Sequence, residues 1–161
     1  MNRYLKACLV AFVGLMALMY ALQNIVNIDA AVGVVGAVLA MADHEYYARS
    51  LVPALTNPAL AWLGLIVIIA SELAAGLLAL KGAWDLWSAR AADAGTFNRS
   101  KTFALLGCGA GVIVWFGYFG AVGGAFFQMW QTDLGAQSLN GAFQNAVYCA
   151  LVLLFVSLED V

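Results

Sequence analysis

Charge is what this sequence has least of. Its 161 residues include seven Lys or Arg, nine Asp or Glu and one His. Charged side chains thus make up 10%, where a soluble domain carries about a quarter. That scarcity excludes an ordinary water-soluble fold. A formal net charge of −2 excludes the basic face that nucleic acid binding requires. The single histidine, His44, argues against a haem held by two histidines and against a conventional zinc enzyme. Asp43 and Glu45 flank it, but consecutive residues on a helix do not converge on one ion, so His44 reads as solvated or interfacial. The three cysteines, Cys8, Cys108 and Cys149, fall in apolar runs without metal-ligand spacing or a disulfide framework, and read as small buried residues. No nucleophile elbow is present. The Gly107-x-Gly-x-Gly111 run lacks the strand and the lysine of a phosphate-binding loop. Neither catalysis, nor a metal, nor a cofactor is expected.

Apolar residues fill the space that charge leaves. They make up 65% of the chain, and the mean hydropathy is +0.90. Four runs are long enough to cross a bilayer, at about 4–28, 58–81, 102–130 and 139–157. The first follows a basic start, Arg3 and Lys6, but is longer than a signal-peptide core and precedes three more spans. Asn57-Pro58 opens the second as cap and first-turn proline, and Ser100 is the expected cap of the third. Between the first two spans, in residues 30–48, the apolar run Ala30 to Met41 is too short to cross, and these residues turn polar from Asp43 on. They read as a short helix on the membrane surface or on the bundle, with Tyr46 and Tyr47 near the headgroups. Glu159, Asp160 and Val161 read as a stub in water. The fold class is all-α: one integral membrane four-helix bundle with a short interfacial helix in its first outward loop.

Basic residues set the orientation. Arg3 and Lys6 precede span 1, and Lys81, Arg90, Arg99 and Lys101 lie between spans 2 and 3, leaving only Arg49 outside. By the positive-inside rule both termini are cytoplasmic. The expected location is the bacterial inner membrane.

Three groups of residues are candidates for function. Glycine is a poor helix former in water, yet span 3 is dense with it. Gly107, Gly111, Gly117, Gly120 and Gly124 read as helix-packing positions that let backbones approach closely in lipid. Glu72, near the middle of span 2, is costly in a membrane and should face the bundle interior. Counting from the membrane faces puts Trp115, Tyr118, Asn145 and Tyr148 at its depth. Glu72 then serves either as a relay or ligand-binding acid, or as a protonated group bonded to a Tyr or Asn as helix glue. The third group is an outward polar belt of Gln23, Asn24, Asn27, Asp29, Gln128, Trp130, Gln131, Asp133 and Asn140. It reads as a shallow pocket for lipid, quinone or partner, or as helix ends satisfying their hydrogen bonds.

The run Trp115-Phe-Gly-Tyr-Phe-Gly-Ala-Val-Gly-Gly-Ala-Phe-Phe-Gln-Met-Trp-Gln131, followed by Asn140-Gly141, carries a family resemblance. With Asn24 to Asp29, Val38 to Met41 and Glu72, it makes the whole chain resemble a bacterial family of predicted small integral membrane proteins with four spans. Leu139 stands where that family usually has a tryptophan, and Ala42 to Tyr46 replace a threonine-rich run. The resemblance implies the topology and no assigned activity.

The expected function is a non-catalytic accessory subunit packing against a larger inner-membrane complex, such as a respiratory one. The alternative is a small proton-coupled transporter, or a lipid- or quinone-binding protein using Glu72. The expected partners are the bilayer and other membrane subunits or further copies of the chain.

Overall fold

The computed structural model describes residues 2–161, and among these it contains helices and loops but no strand. Four helical stretches are long and apolar enough to cross a membrane. They are α1 (Asn2–Val26), α3 (Pro58–Ser88), α6 (Asp133–Ser157) and a composite third stretch. That stretch comprises α4 (Ala94–Arg99), α5 (Thr102–Val112) and a π-helical segment (Ile113–Phe126). The shorter α2 (Ile28–Ala40) lies between α1 and α3.

Several boundaries differ from those expected. Helix α1 stops at Val26, and Asn27 alone separates it from α2. Helix α2 ends at Ala40 because Met41 adopts a left-handed φ of 50°, and the Ala42 amide bonds back to the Ala37 carbonyl at 3.1 Å. The polar half of the expected interfacial helix, residues 43–48, therefore has no regular structure. At the start of α3, Asn57 accepts from the Ala59 amide, as the Asn-Pro pair predicts. That helix runs on to Ser88, past the Lys81–Asp85 pair at 2.5 Å. The third stretch begins earlier than expected, capped by Asp93 rather than Ser100, because the Asp93 carboxylate accepts from the Thr96 amide at 3.0 Å. Ser100 instead donates to the Phe97 carbonyl at the junction of α4 and α5. The stretch closes at Phe126, before the left-handed Gln128, which leaves Trp130 in a short 3-10 turn (Met129–Gln131). Helix α6 starts at Asp133, with Thr132 accepting from the Gly135 amide, and absorbs the polar link.

Helix α3 is the centre of the bundle, with α1 on one side and α5 on the other; α6 packs on α5 and the π segment. Small residues make these crossings close. Leu18 and the Gly14 carbonyl leave no room for a side chain on Gly76. A Cβ on Gly82 would strike the Ala104 backbone, and one on Gly107 the Ala79 backbone. On the α6 side, Gly111 lies against Cys149. The core is correspondingly built from Ala7, Ala17, Ala75, Ala79 and Ala104, with Val10, Leu86 and Phe97 as fillers.

Two of the five expected packing glycines do not act as such. Beside Gly117 and Gly120 no atom of another helix comes within 4 Å of an added Cβ. The cause is the π segment, whose hydrogen bonds reach five residues back, as from the Phe127 amide to the Val122 carbonyl at 3.0 Å. Its turns are wider, so residues four apart no longer share a face as they do in α5. Gly124 still packs, against Leu139, and the adjacent Gly123 packs against Met129.

The last residues are not a free stub. Asp160 receives Lys6 Nζ at 2.5 Å and Lys101 Nζ at 2.8 Å, with Arg3 at 3.8 Å. Both ammonium groups also donate to the Leu158 carbonyl, at 2.7 and 2.6 Å. Asn98 bonds the Asp160 backbone on both sides, and Arg3 donates to the Ala92 carbonyl. This knot gathers both chain ends and the α3–α4 link at one end of the bundle. Partial burial works to raise the Asp160 carboxyl, but hydrogen bonds from Lys101 and Lys6 outweigh it and hold it below the usual carboxylate range.

Candidate functional site: an acid at the wall of an apolar cavity

Helix α1 buries a stripe of Val10, Gly14, Ala17 and Ala21, spaced three or four apart. The same spacing continues to Asn24. Helix α3 buries Leu65, Glu72, Ala75, Gly76 and Ala79 in like manner. Where the two stripes meet, Asn24 Nδ2 donates to Glu72 Oε2 at 3.0 Å. Glu72 is 1% exposed. Beside it on α3, the Ser71 hydroxyl lies 3.3 Å from the Tyr118 hydroxyl of the π segment.

Glu72 and Asn24 form part of the wall of a cavity of about 490 Å³. Tyr20, Trp115, Tyr118 and Phe119 line it too, as does the buried Asn145 of α6. Tyr20 and Trp115 meet edge to face at 5.7 Å. The outer wall is the face of α2 formed by Ala31, Val34, Val35 and Val38, one helical stripe. None of the residues of α2 is fully buried; the helix packs on α3 where Val35 meets Gly64 and Gly36 meets Ala61, and the cavity lies beside that contact. The lining contains no Lys, Arg or His. Glu72 is its only ionisable acid, and most of the remaining wall is hydrocarbon.

The buried-acid group expected from sequence is thus assembled in part. Tyr118 and Asn145 line the cavity with Glu72, and Tyr118 reaches Ser71 rather than the acid. Tyr148 does not belong to it. It is 53% exposed and lies in an apolar groove between α1 and α6 with Phe12 and Met16, because the α6 face carrying Asn145 and Cys149 turns Tyr148 outward. The glue partner is Asn24, which equal-depth counting misses; the signal available was its place on the small-residue stripe of α1.

The expected polar belt is not one pocket. Asn24 leaves it for Glu72, while Asn27 bonds only to Gln23 one turn back. Asp29 and Asn140 are exposed. Gln131 is buried and clamps the first loop: its Oε1 accepts the Tyr46 amide at 3.0 Å and the Tyr47 amide at 2.6 Å. Those two donors fix the side-chain amide, so Nε2 faces Gln128 Oε1 at 2.7 Å and His44 Nδ1 at 3.2 Å. His44 Nδ1 therefore accepts, and the imidazole is half-buried rather than solvated. Trp130 stacks with Tyr46 at 6.3 Å and meets Tyr47 edge-on at 5.2 Å. Gln128, Trp130 and Gln131 thus hold the loop over the outer end of the bundle.

Four helical stretches long and apolar enough to cross a membrane agree with one known family. The family described as predicted small integral membrane protein (DUF2165) matches residues 2–159. The chain belongs to this family. No curated protein and no solved structure matches it. Among the described residues, no group of three or more His, Cys, Asp or Glu is placed to hold a metal ion.

Proposed function

We propose that this DUF2165 protein is a non-catalytic membrane protein that binds a lipophilic small molecule in the cavity at Glu72. The observation that carries the reading is the cavity of about 490 Å³ that the apolar stripe of α2 borders, with α3 and the π segment forming its other walls. Such a volume lies in the range of small-molecule sites, roughly 300–1,000 Å³. Hydrocarbon walls with a few converging polar groups, Glu72, Asn24 and Tyr118, suit a ligand with an apolar body and one polar end. In this reading the bacterial inner membrane holds the chain with both termini cytoplasmic. The end carrying Arg3, Lys6, Lys81, Arg90, Arg99 and Lys101 faces inward, as the positive-inside rule requires.

Ile68 lines the cavity from α3, so Ile68→Trp should fill it. Chain purified in mild detergent should be photolabelled by a diazirine-bearing alkyl probe on α2 and the π segment, and Ile68→Trp should abolish that labelling. Labelling unchanged in Ile68→Trp, or confined to the outer surface, would refute cavity binding. An accessory-subunit role remains a second reading, supported by Gly117 and Gly120, against which no other helix among the described residues packs within 4 Å. Crosslinking in native membranes tests it. Recovery of the chain with no partner rejects it.

A further inference from the structure

Among the described residues, no side chain lining the cavity carries a positive charge. Glu72 Oε2 has one neutral donor, Asn24, and no Lys, Arg or His stands among the lining residues. The chain's cations are engaged or placed elsewhere: Arg3, Lys6 and Lys101 at Asp160, Lys81 at Asp85. Arg90 lies on the Trp87 carbonyl, Arg99 on Thr96, and Arg49 in the first loop. A carboxylate in an apolar wall is unfavourable unless a counter-charge reaches it. A neutral ligand leaves that cost in place, whereas a cationic ligand removes it.

Aromatic groups line the same cavity. Tyr20 sits one turn before Asn24 and touches Trp115, and Tyr118 is tied to Ser71, the neighbour of Glu72. Phe119 follows on the same wall. Aromatic faces attract cations through the ring quadrupole, most strongly when water is excluded. An acid with aromatic walls suits a weakly hydrated cation with bulky apolar substituents better than a compact ammonium or metal ion. Val34, Val38, Val67 and Ile68 offer hydrocarbon to those substituents.

We infer that the ligand of this cavity is a hydrophobic organic cation, such as a quaternary ammonium, a phosphonium or a protonated lipophilic amine, with Glu72 as its counter-ion. The inference rests on the cavity-binding reading above and specifies its ligand class.

The test is equilibrium dialysis of the full chain in mild detergent. The probes are labelled tetraphenylphosphonium and, separately, a dodecyltrimethylammonium ion beside a dodecyl chain ending in a neutral tert-butyl group. The expected result is saturable binding of both cations, with the neutral analogue weaker. Glu72→Gln should weaken cation binding by at least about tenfold, because removing one partner of a desolvated charge pair is costly. Glu72→Asp keeps the charge and should retain more binding than Glu72→Gln; it also serves if the Gln variant folds poorly. Trp115→Leu should weaken the cations more than the neutral analogue. Equal binding of charged and neutral probes, or cation binding indifferent to Glu72→Gln, would overturn the cation assignment. If in that case Ile68→Trp still blocks the neutral probe, cavity binding stands and only the ligand class falls. If no probe binds saturably, both fall together.

Discussion

Asn24 and Glu72, 48 residues apart in the chain, are joined by one hydrogen bond of 3.0 Å between α1 and α3. It draws a residue from the end of span 1 into the interior and leaves the acid without a charged partner. A double-mutant cycle on Asn24→Leu and Glu72→Leu should return a coupling of about 0.5–1.5 kcal/mol, the range of interhelical hydrogen bonds in membranes. Coupling near zero in detergent unfolding would mean that the two side chains do not meet.

Glycines of the third span should separate into two classes. Gly107→Ala pushes a methyl into the Ala79 backbone and should destabilise by about 1–3 kcal/mol through overpacking. Gly120→Ala meets only ordinary contacts with Phe116 and Trp115 of its own segment and should change stability by no more than about 0.5 kcal/mol. Thermal melts of the two variants in one detergent decide the matter. Equal losses would show that the wide turns of the π segment do not exist.

Asp160 should act as a clasp. Asp160→Ala leaves Lys6 and Lys101 buried without their acid and should destabilise by about 3 kcal/mol. Because the folded-state pKa of Asp160 is depressed, its stabilisation is complete above the ordinary aspartate value of about 3.9. It is lost as pH falls through the lower folded value. An acid melt series should therefore steepen below that point in wild type and flatten in Asp160→Asn. Identical acid limbs would show that the clasp contributes nothing.

Gln131→Leu should release the first loop, since the Tyr46 and Tyr47 amides lose their acceptor. With each such bond contributing about 1 kcal/mol, both amides should exchange with solvent several-fold faster. Gln131→Glu retains the acceptor but not the bonds to His44 and Gln128, and should give a smaller effect. Unchanged exchange in Gln131→Leu would mean the loop is held by Trp130 stacking alone.

Much of the fold is legible in the chain itself. Long apolar runs in a sequence with so little charge specify transmembrane helices, because backbone groups in hydrocarbon must bond within their own segment. Glu72 stood out as the single acid inside such a run, and its burial follows from the cost of exposing it to lipid. Its partner was harder to see. Depth counting compares residues by distance from a membrane face, and it groups Tyr148 with Trp115, Tyr118 and Asn145, although rotation about α6 turns Tyr148 outward. Rotation depends on which face each helix buries, a property of packing between helices.

The sequence by itself determined four spans, their shared family and a lone acid in the membrane interior, since each follows from composition and local hydrogen-bonding need. Tertiary structure alone decided that Asn24 turns inward, that the third span widens beyond Val112, and that α2 and α3 enclose a cavity between them. It also decided that Asp160 gathers cations from α1 and from Lys101, just before α5. These outcomes depend on close approach between segments far apart in the chain, set by the match of small and large side chains across each crossing. No periodicity within one segment encodes that match.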